Sequence, residues 1–395
     1  MTRPTLEVAD IIRRTGNRYV ERNRSHLTWP HLKVLRAIKN CRTAALGGYL
    51  DECSDCGHCA IFYNSCRNRH CPKCQTQARD RWVAARSQEL LPVPYVHVVF
   101  TLPKVLAALT LQNKRLLYDL LFRSSAETLL EIAADPKHFG ADIGFLSVLH
   151  TWGQTLQAHP HVHCVVPAGG LSPDRLHWVH PPRHGFFLPV RVLSRVFRGK
   201  FVAGLKQLFR THQLQFHAAL RNLSSPKLFG QFLRFLHTQN WVVYAKRPFG
   251  GPEHVLQYLA RYTHRVAISN HRLLDFDGDR VTFRWKDYAH HNKQRKMTLA
   301  SDEFLRRFLL HVLPSGFVRI RHYGFLTNRD RQQRVSLCRQ LLATADLLRS
   351  PPAPAPQPLV VRCPVCSANM RITARLTSQQ IASAISGWQK RADSS

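Results

Sequence analysis

Three groups of residues carry chemistry in their types and spacing. The first is His159-Pro160-His161-Val162-His163. On a β-strand, residues two apart point to the same side, so His161 and His163 would offer two imidazoles to one divalent ion, with Val162 packed behind them. His159 shares their parity, and Pro160 is placed to bend it out of line. A site with two or three protein ligands keeps open coordination positions and can polarise a phosphate oxygen. Spacing leaves the third ligand open between His97 and Gln257.

The second group is Tyr258-Leu-Ala-Arg261-Tyr262. Phenols four residues apart share one face of a helix, about 5–6 Å apart at Cβ. Alone, such a pair is a packing feature. Beside a metal site, a phenol becomes a nucleophile toward a phosphodiester and forms a covalent phosphotyrosine that conserves the bond for rejoining. Arg261 and Arg265 stand next to the pair and suit phosphate oxygens.

The third group is Cys53-Ser-Asp-Cys56 followed by Cys71-Pro-Lys-Cys74. Each C-x-x-C turns two thiolates to one side of a tight turn, and two such knuckles close a tetrahedral zinc shell. Cys53, Cys56, Cys71 and Cys74 are therefore the expected ligands of a structural Zn2+. The shell would be complete, with no position open for catalysis. Cys41, Cys59, Cys66 and His70 are then surplus, as buried thiols and an outer imidazole. Arg67, Arg69 and Lys73 surround the cluster and suit phosphate contacts. Cys363-Pro-Val-Cys366 is half of a knuckle pair. It binds zinc only if another part of the fold, or a second copy, supplies two more thiolates.

The elements that must position these groups are partly legible. Residues 1–40 read as helical, with apolar positions Val8, Ile11 and Ile12, then Leu32, Leu35 and Ile38. Residues 75–91 read as a helix with one basic side. Tyr95–Leu102 is a strand. Helix follows to about Ala134, and Ile143–Gln157 is expected to be helical as well, leading into a short β run at His161–Val166. Residues 190–237 read as basic helices, Trp241–Ala245 as a strand and His254–Thr263 as a helix. Val266–Ser269, Arg272–Phe276 and Arg280–Trp285 read as strands, the last two joined at Asp277-Gly278. Ser301–Leu313 is a helix.

Composition bounds the partner. Lys and Arg number 57 against 24 Asp and Glu, a net charge of +33 in 395 residues. That excess implies a polyanion, with nucleic acid ahead of a membrane surface. The chain has no apolar stretch near the roughly 18 residues of a membrane span, and residues 1–17 lack the apolar core of a signal peptide. A cytoplasmic setting is expected, in which 11 cysteines argue for metal rather than disulfides. No G-x-x-x-x-G-K-[ST] loop occurs, so any helicase would be a separate host protein.

Read together, the motifs resemble a known family. Tyr63-Asn-Ser-Cys66-Arg-Asn-Arg-His70-Cys71-Pro-Lys-Cys74 is similar to the zinc-binding start of insertion-sequence-91 family transposases. His159–His163 followed by Gly169-Gly170 resembles their histidine–hydrophobe–histidine motif. Tyr258–Arg265 resembles their tyrosine motif, and Phe317-Val-Arg-Ile-Arg-His-Tyr323-Gly a later block. The resemblance implies an α+β fold of the HUH endonuclease type. Its antiparallel, ferredoxin-like sheet is flanked by helices and preceded by a helical, zinc-ribbon-like domain. It implies Mg2+ or Mn2+ at His161 and His163, and Tyr258 and Tyr262 as nucleophiles. It also implies single-stranded DNA at the ends of a bacterial element, and target DNA, as partners. The expected divisions are residues 1–40, 41–92 (zinc), 93–345 (catalytic), 346–358 (a proline-rich linker) and 359–395 (a tail). Two other readings share parts of this evidence. A non-catalytic zinc-ribbon nucleic-acid-binding protein explains the charge and thiols. A relaxase or replication initiator would use the same chemistry on another target.

Overall fold

The structure is a computed structural model and describes residues 4–75, 80–82, 89–181, 188–249, 266–288, 290–343 and 361–383. In chain order the elements begin with α1 (Val8–Arg22), α2 (Trp29–Lys39), β1 (Gly48–Cys53), β2 (Cys59–Tyr63) and β3 (Tyr95–Thr101). There follow α3 (Ala107–Gln112), α4 (Lys114–Ala134), β4 (Gly144–Trp152), β5 (Ala158–Pro167), β6 (Gly170–Leu171) and β7 (Trp178–Val179). The remainder are α5 (Val190–Arg210), α6 (Pro226–Thr238), β8 (Val243–Phe249), β9 (Leu273–Phe276), β10 (Arg280–Asp287), β11 (Lys293–Ala300), α7 (Ser301–Leu310), β12 (Ile320–Gly324), α8 (Arg331–Ala343) and β13 (Met370–Leu376). No helix among the described residues is long and apolar enough to cross a membrane.

The chain forms two compact units and passes between them repeatedly. Met1–Asp80, His264–Val312 and Pro354–Ser395 make one; Arg81–Thr263 and Leu313–Ala353 make the other. This differs from the expected run of divisions in chain order. The stretch 93–345 is interrupted, because residues from 264 to 312 pack with the first unit, and the tail after the linker returns to that unit too.

In the first unit, α1 starts at a capping box: Glu7 and Asp10 each accept the other's backbone N–H, and the helix buries Val8, Ile11, Ile12 and Tyr19. The inserted segment is tied on by side chains. Asn270 Oδ1 accepts the Val8 N–H at 3.1 Å, and Arg18 meets Asp279 at 2.9 Å. Its β9–β10–β11 meander turns at Asp277, whose carboxylate accepts the N–H groups of Asp279 and Arg280 at 2.8 and 2.7 Å. Val266–Ser269, expected as a strand, has no regular structure. A second sheet has the order β13-β1-β2, all antiparallel, so a strand from the tail completes a hairpin from the cysteine-rich segment.

The second unit is an antiparallel five-stranded sheet in the order β12-β4-β5-β3-β8. Inward residues of one face (Val98 and Phe100, Phe145 and Leu149, Val162 and Val166) pack with Leu121, Phe122, Phe197 and Phe201 of α4 and α5. On the other face Tyr95, Leu146, Val148 and Val165 pack with Val335, Cys338 and Leu342 of α8. The stretch expected as helix, Ile143–Gln157, is thus mostly the strand β4, with residues 144–151 buried throughout. Apolar cover on both faces removed the period-two alternation, leaving a continuous apolar run that does not distinguish strand from helix. Gly169 sits at φ +148°, where a Cβ would come within 2.5 Å of the Trp178 indole. Gly324 ends β12 at φ +59°, against the Ile143 carbonyl. Two motif glycines therefore secure the sheet's connections.

Candidate functional site

His161 and His163 lie on β5, the middle strand, and share a face as the alternation required. A third imidazole joins them. His150 on β4 stands directly across from His161 in the strand register. His150, His161 and His163 bring one ring nitrogen each to within 4.8 Å of one another. Ring centroids are 5.4 Å apart for His150–His161, 4.4 Å for His150–His163 and 4.8 Å for His161–His163. His150 and His163 are buried and His161 is half-buried, so the cluster opens on one side.

Two outer contacts aim the rings. His161 Nδ1 donates to the His159 carbonyl at 2.6 Å, so Nε2 is the nitrogen a cation would take. His163 Nδ1 is 2.8 Å from His97 Nε2, with the rings stacked 5° from parallel. Metal ligation through His163 Nε2 would leave the proton on Nδ1, donated to His97. His97, one of the two third-ligand candidates, thus contacts His163 and is not a member of the trio. Its side chain rises from β3 opposite Val165, one residue pair beyond His163 along the strand. Trp152 stacks on His150 at 4.9 Å and walls the cluster with an apolar ring. Burial also lowers the pKa of His159. Three imidazole nitrogens with an open side fit a divalent cation. Imidazole is a softer donor than the oxygens Mg2+ prefers, which favours Mn2+. The other third-ligand candidate, Gln257, lies outside the described residues, as do Tyr258, Tyr262, Arg261 and Arg265.

The expected shell of Cys53, Cys56, Cys71 and Cys74 is not brought together. The thiols form two groups of four: Cys41, Cys66, Cys71 and Cys74, and Cys53, Cys56, Cys363 and Cys366, each with its sulfurs within 4.8 Å. The reason is the β1–β2 hairpin. It carries the first knuckle at its turn, where β13 brings the tail alongside, whereas Cys71 and Cys74 open the next helical turn beside the end of α2. In the first group Cys41–Cys74 and Cys66–Cys74 are 3.5 Å apart. These separations are near the ~3.8 Å edge of a zinc tetrahedron with bonds of about 2.3 Å. They are far beyond a disulfide bond of about 2.05 Å. Within each group the crowded sulfurs shift one another in opposite directions: Cys41 and Cys53 are lowered by hydrogen bonds, from Cys66 and from the N–H groups of Cys56 and Asp55 respectively, whereas the neighbouring sulfurs raise Cys66 and Cys71. Cys59 is exposed and belongs to neither group.

Of the expected phosphate contacts, Lys73 is committed elsewhere: its Nζ is 2.5 Å from Glu7 Oε2, with both side chains 11% exposed. It secures α1 to the cysteine segment. Arg67 is exposed, at φ +51°, and Arg69 is half-buried, with its pKa lowered by burial. Missed from the sequence were His150, hidden by reading β4 as helix, and Cys41 and Cys66, set aside as surplus. Their signal was number: eight of the cysteines close two complete tetrads.

Two family models match the chain. Residues 11–102 match one described as "Transposase zinc-binding domain", and residues 144–334 match one described as "Putative transposase". The chain is 56% identical over 355 residues to the "Putative transposase y4qJ" of Sinorhizobium fredii, covering 90% of this chain and 87% of that protein. It is 30% identical over 352 residues to the transposase for insertion sequence element IS801 of Pseudomonas savastanoi pv. phaseolicola, covering 85% and 82%. A solved structure, a conjugative relaxase TrwC in complex with oriT DNA, aligns over 42% of this chain and 70% of that one at 12% identity and a TM-score of 0.24, too low a likeness to add to the fold.

Proposed function

The chain belongs to the insertion-sequence-91 family of transposases, and on that premise we propose that it cuts and rejoins single-stranded DNA at the ends of a bacterial mobile element through a 5′-phosphotyrosine link. The observation that carries this reading is the convergence of His150, His161 and His163 on adjacent central strands. These three residues would hold Mn2+ or Mg2+, which when bound polarises the scissile phosphate. The chain's own residues supply the rest. His97 and the His159 carbonyl hold the imidazoles in register, so the ligands need no reorganisation on binding.

Tyr258 or Tyr262 is the nucleophile. Its oxygen bonds to phosphorus as the bond from phosphorus to the 3′-oxygen breaks. The proton lost by the phenol is matched by the one taken up by the leaving 3′-hydroxyl. The free 3′-hydroxyl can later reverse the step on another strand, and the second tyrosine serves the second cleavage. Arg261 and Arg265 would brace the flanking phosphates, and Arg67 and Arg69 would meet the backbone from the zinc-binding unit. Cys41, Cys66, Cys71 and Cys74 would hold a structural Zn2+. Strand separation falls to a host helicase.

The test is covalent trapping. Purified protein is mixed with single-stranded DNA from its element ends, with and without Mn2+, and run on a denaturing gel beside His150→Ala, Tyr258→Phe, Tyr262→Phe and the double tyrosine variant. A metal-dependent adduct, absent from the double variant, is expected. Tight DNA binding with no adduct on any end sequence would leave a non-catalytic zinc protein as the better reading.

A further inference from the structure

We propose that Cys53, Cys56, Cys363 and Cys366 hold a second structural zinc ion, which clasps β13 onto the β1–β2 hairpin within a single chain. The zinc-binding family model ends at residue 102, so half of this ligand set lies outside it. Three independent features converge on the site.

The first is the sulfur geometry. Cys53 Sγ lies 3.3 Å from Cys366 Sγ, and Cys56 Sγ 3.6 Å from Cys363 Sγ, with all four sulfurs within 4.8 Å. Each pair crosses between the knuckles and is close to the length of a tetrahedron's edge.

The second is that both turns repeat one backbone pattern. The Cys53 N–H donates to the His58 carbonyl at 2.9 Å, and the Gly57 N–H to the Cys53 carbonyl at 3.1 Å. At the other turn the Cys363 N–H donates to the Ala368 carbonyl at 2.8 Å, and the Ser367 N–H to the Cys363 carbonyl at 2.9 Å. The fifth residue of each turn is left-handed, Gly57 at φ +69° and Ser367 at φ +63°. Glycine takes that conformation without cost, whereas serine does not. Ser367 in the matching place keeps the same turn at a backbone cost that Gly57 does not bear. The N–H of Val365 also donates to Cys363 Sγ at 3.4 Å.

The third is how little else holds this corner among the described residues. Its apolar cluster consists of Cys53, Cys363 and Met370, with Ala60 and Ala368 against it. A sheet of three short strands over so small a core needs a staple. Bare thiols would be poor substitutes, because Cys56 and Cys366 are exposed and open to oxidation. The clasp spans 307 to 313 residues of sequence. It locks the pairing in which Cys53 stands opposite Met370 and Gly48 opposite Leu376.

The experiment measures zinc in the full chain, purified under reducing conditions, by plasma mass spectrometry. Two ions per chain are expected. The Cys363→Ser/Cys366→Ser variant should hold one ion, and limited proteolysis should then cut rapidly within residues 361–383 while sparing β3 to β5. The single variant Cys56→Ser, at an exposed position, should give the same result from the opposite knuckle. Cobalt substitution should add thiolate-to-cobalt absorption worth two sites in the wild type and one in either variant. One zinc in the wild type, or no change in zinc in the variants, would overturn the proposal. So would a mass two daltons low after non-reducing isolation without zinc loss, since that marks a disulfide. Loss of a dimer together with one zinc would place the clasp between chains, which also overturns it.

Discussion

The five-stranded sheet and the three-stranded ribbon both gather groups of side chains able to hold a metal, by opposite means. In the sheet, His150, His161 and His163 are delivered by backbone register, between an apolar core on one face and α8 on part of the other. The ligands would stay in place without an ion. In the ribbon, a cluster of a few small apolar residues leaves cohesion to the thiols. The contrast suits two tasks. A catalytic cation must come and go from a cage that does not collapse, whereas a structural ion can be part of the fold itself.

The sharpest way to break this contrast is to remove zinc. Structural zinc contributes about 10 kcal/mol or more to the folding of small metal domains. Chelation under reducing conditions should therefore accelerate amide exchange in β1, β2 and β13 by orders of magnitude and leave β3, β4 and β5 protected, as read by hydrogen–deuterium exchange. Equal deprotection of both sheets would show that the units do not differ in this way.

Next in size is the histidine trio. His150→Ala should lower Mn2+-dependent adduct formation by on the order of 100-fold or more, as a ligand should exceed the 10–100-fold typical of outer partners. His161→Ala is its yardstick. If His150→Ala proves near wild type while His161→Ala is inactive, the site has two ligands from this face and not three. A smaller effect belongs to His97. His97→Ala should weaken Mn2+ binding by roughly 10–100-fold yet regain most cleavage at saturating Mn2+, because orientation and not ligation is lost. A metal titration separates the two: a lower plateau instead of a shifted midpoint would make His97 a ligand.

The smallest expected effect lies in α7. Hydrogen bonds from Arg306, with further bonds from Arg307, hold the Glu303 carboxyl down at about 2. A depressed carboxylate stabilises the fold above its unfolded value, near 4.5, and that contribution fades as pH falls toward 2. Glu303→Gln should cost about 0.5–1 kcal/mol at pH 7 after allowance for solvent screening, and much less near pH 2.5. Thermal melts at the two pH values measure the difference. The same loss at both would assign it to packing.

How much was legible follows the same line. β3, β5 and the β9–β10 hairpin announced themselves because each alternates or turns at a marked residue, and the facing of His161 with His163 came with them. β4 did not, since its residues are covered on both sides, and His150 was lost inside a stretch that reads equally as helix. The cysteines were recognisable as ligands, but sequence spacing says nothing of which knuckle meets which. Nearness along the chain suggested pairing Cys53/Cys56 with Cys71/Cys74. The fold instead separates these neighbours and unites Cys53 with Cys366, because strand pairing with β13 outweighs proximity in sequence. Lys73 shows a similar limit: a cation in a basic loop reads as a phosphate contact until a buried Glu7 is found beside it.

The partnership of β1 with β13 also sets an order in time. Cys56 leaves the ribosome 307 residues before Cys363. At about 5–20 residues per second, that is a wait of roughly 15–60 s. Throughout it, one edge of β1 is unpaired and open to neighbouring nascent chains. The histidine sheet's β3, β4 and β5 are all synthesised within that interval. A chain cut short before β13 would thus carry β1 with one open edge, the kind of product that chaperones and proteases recognise. Synthesis of β13 is thus a condition of the ribbon's folding.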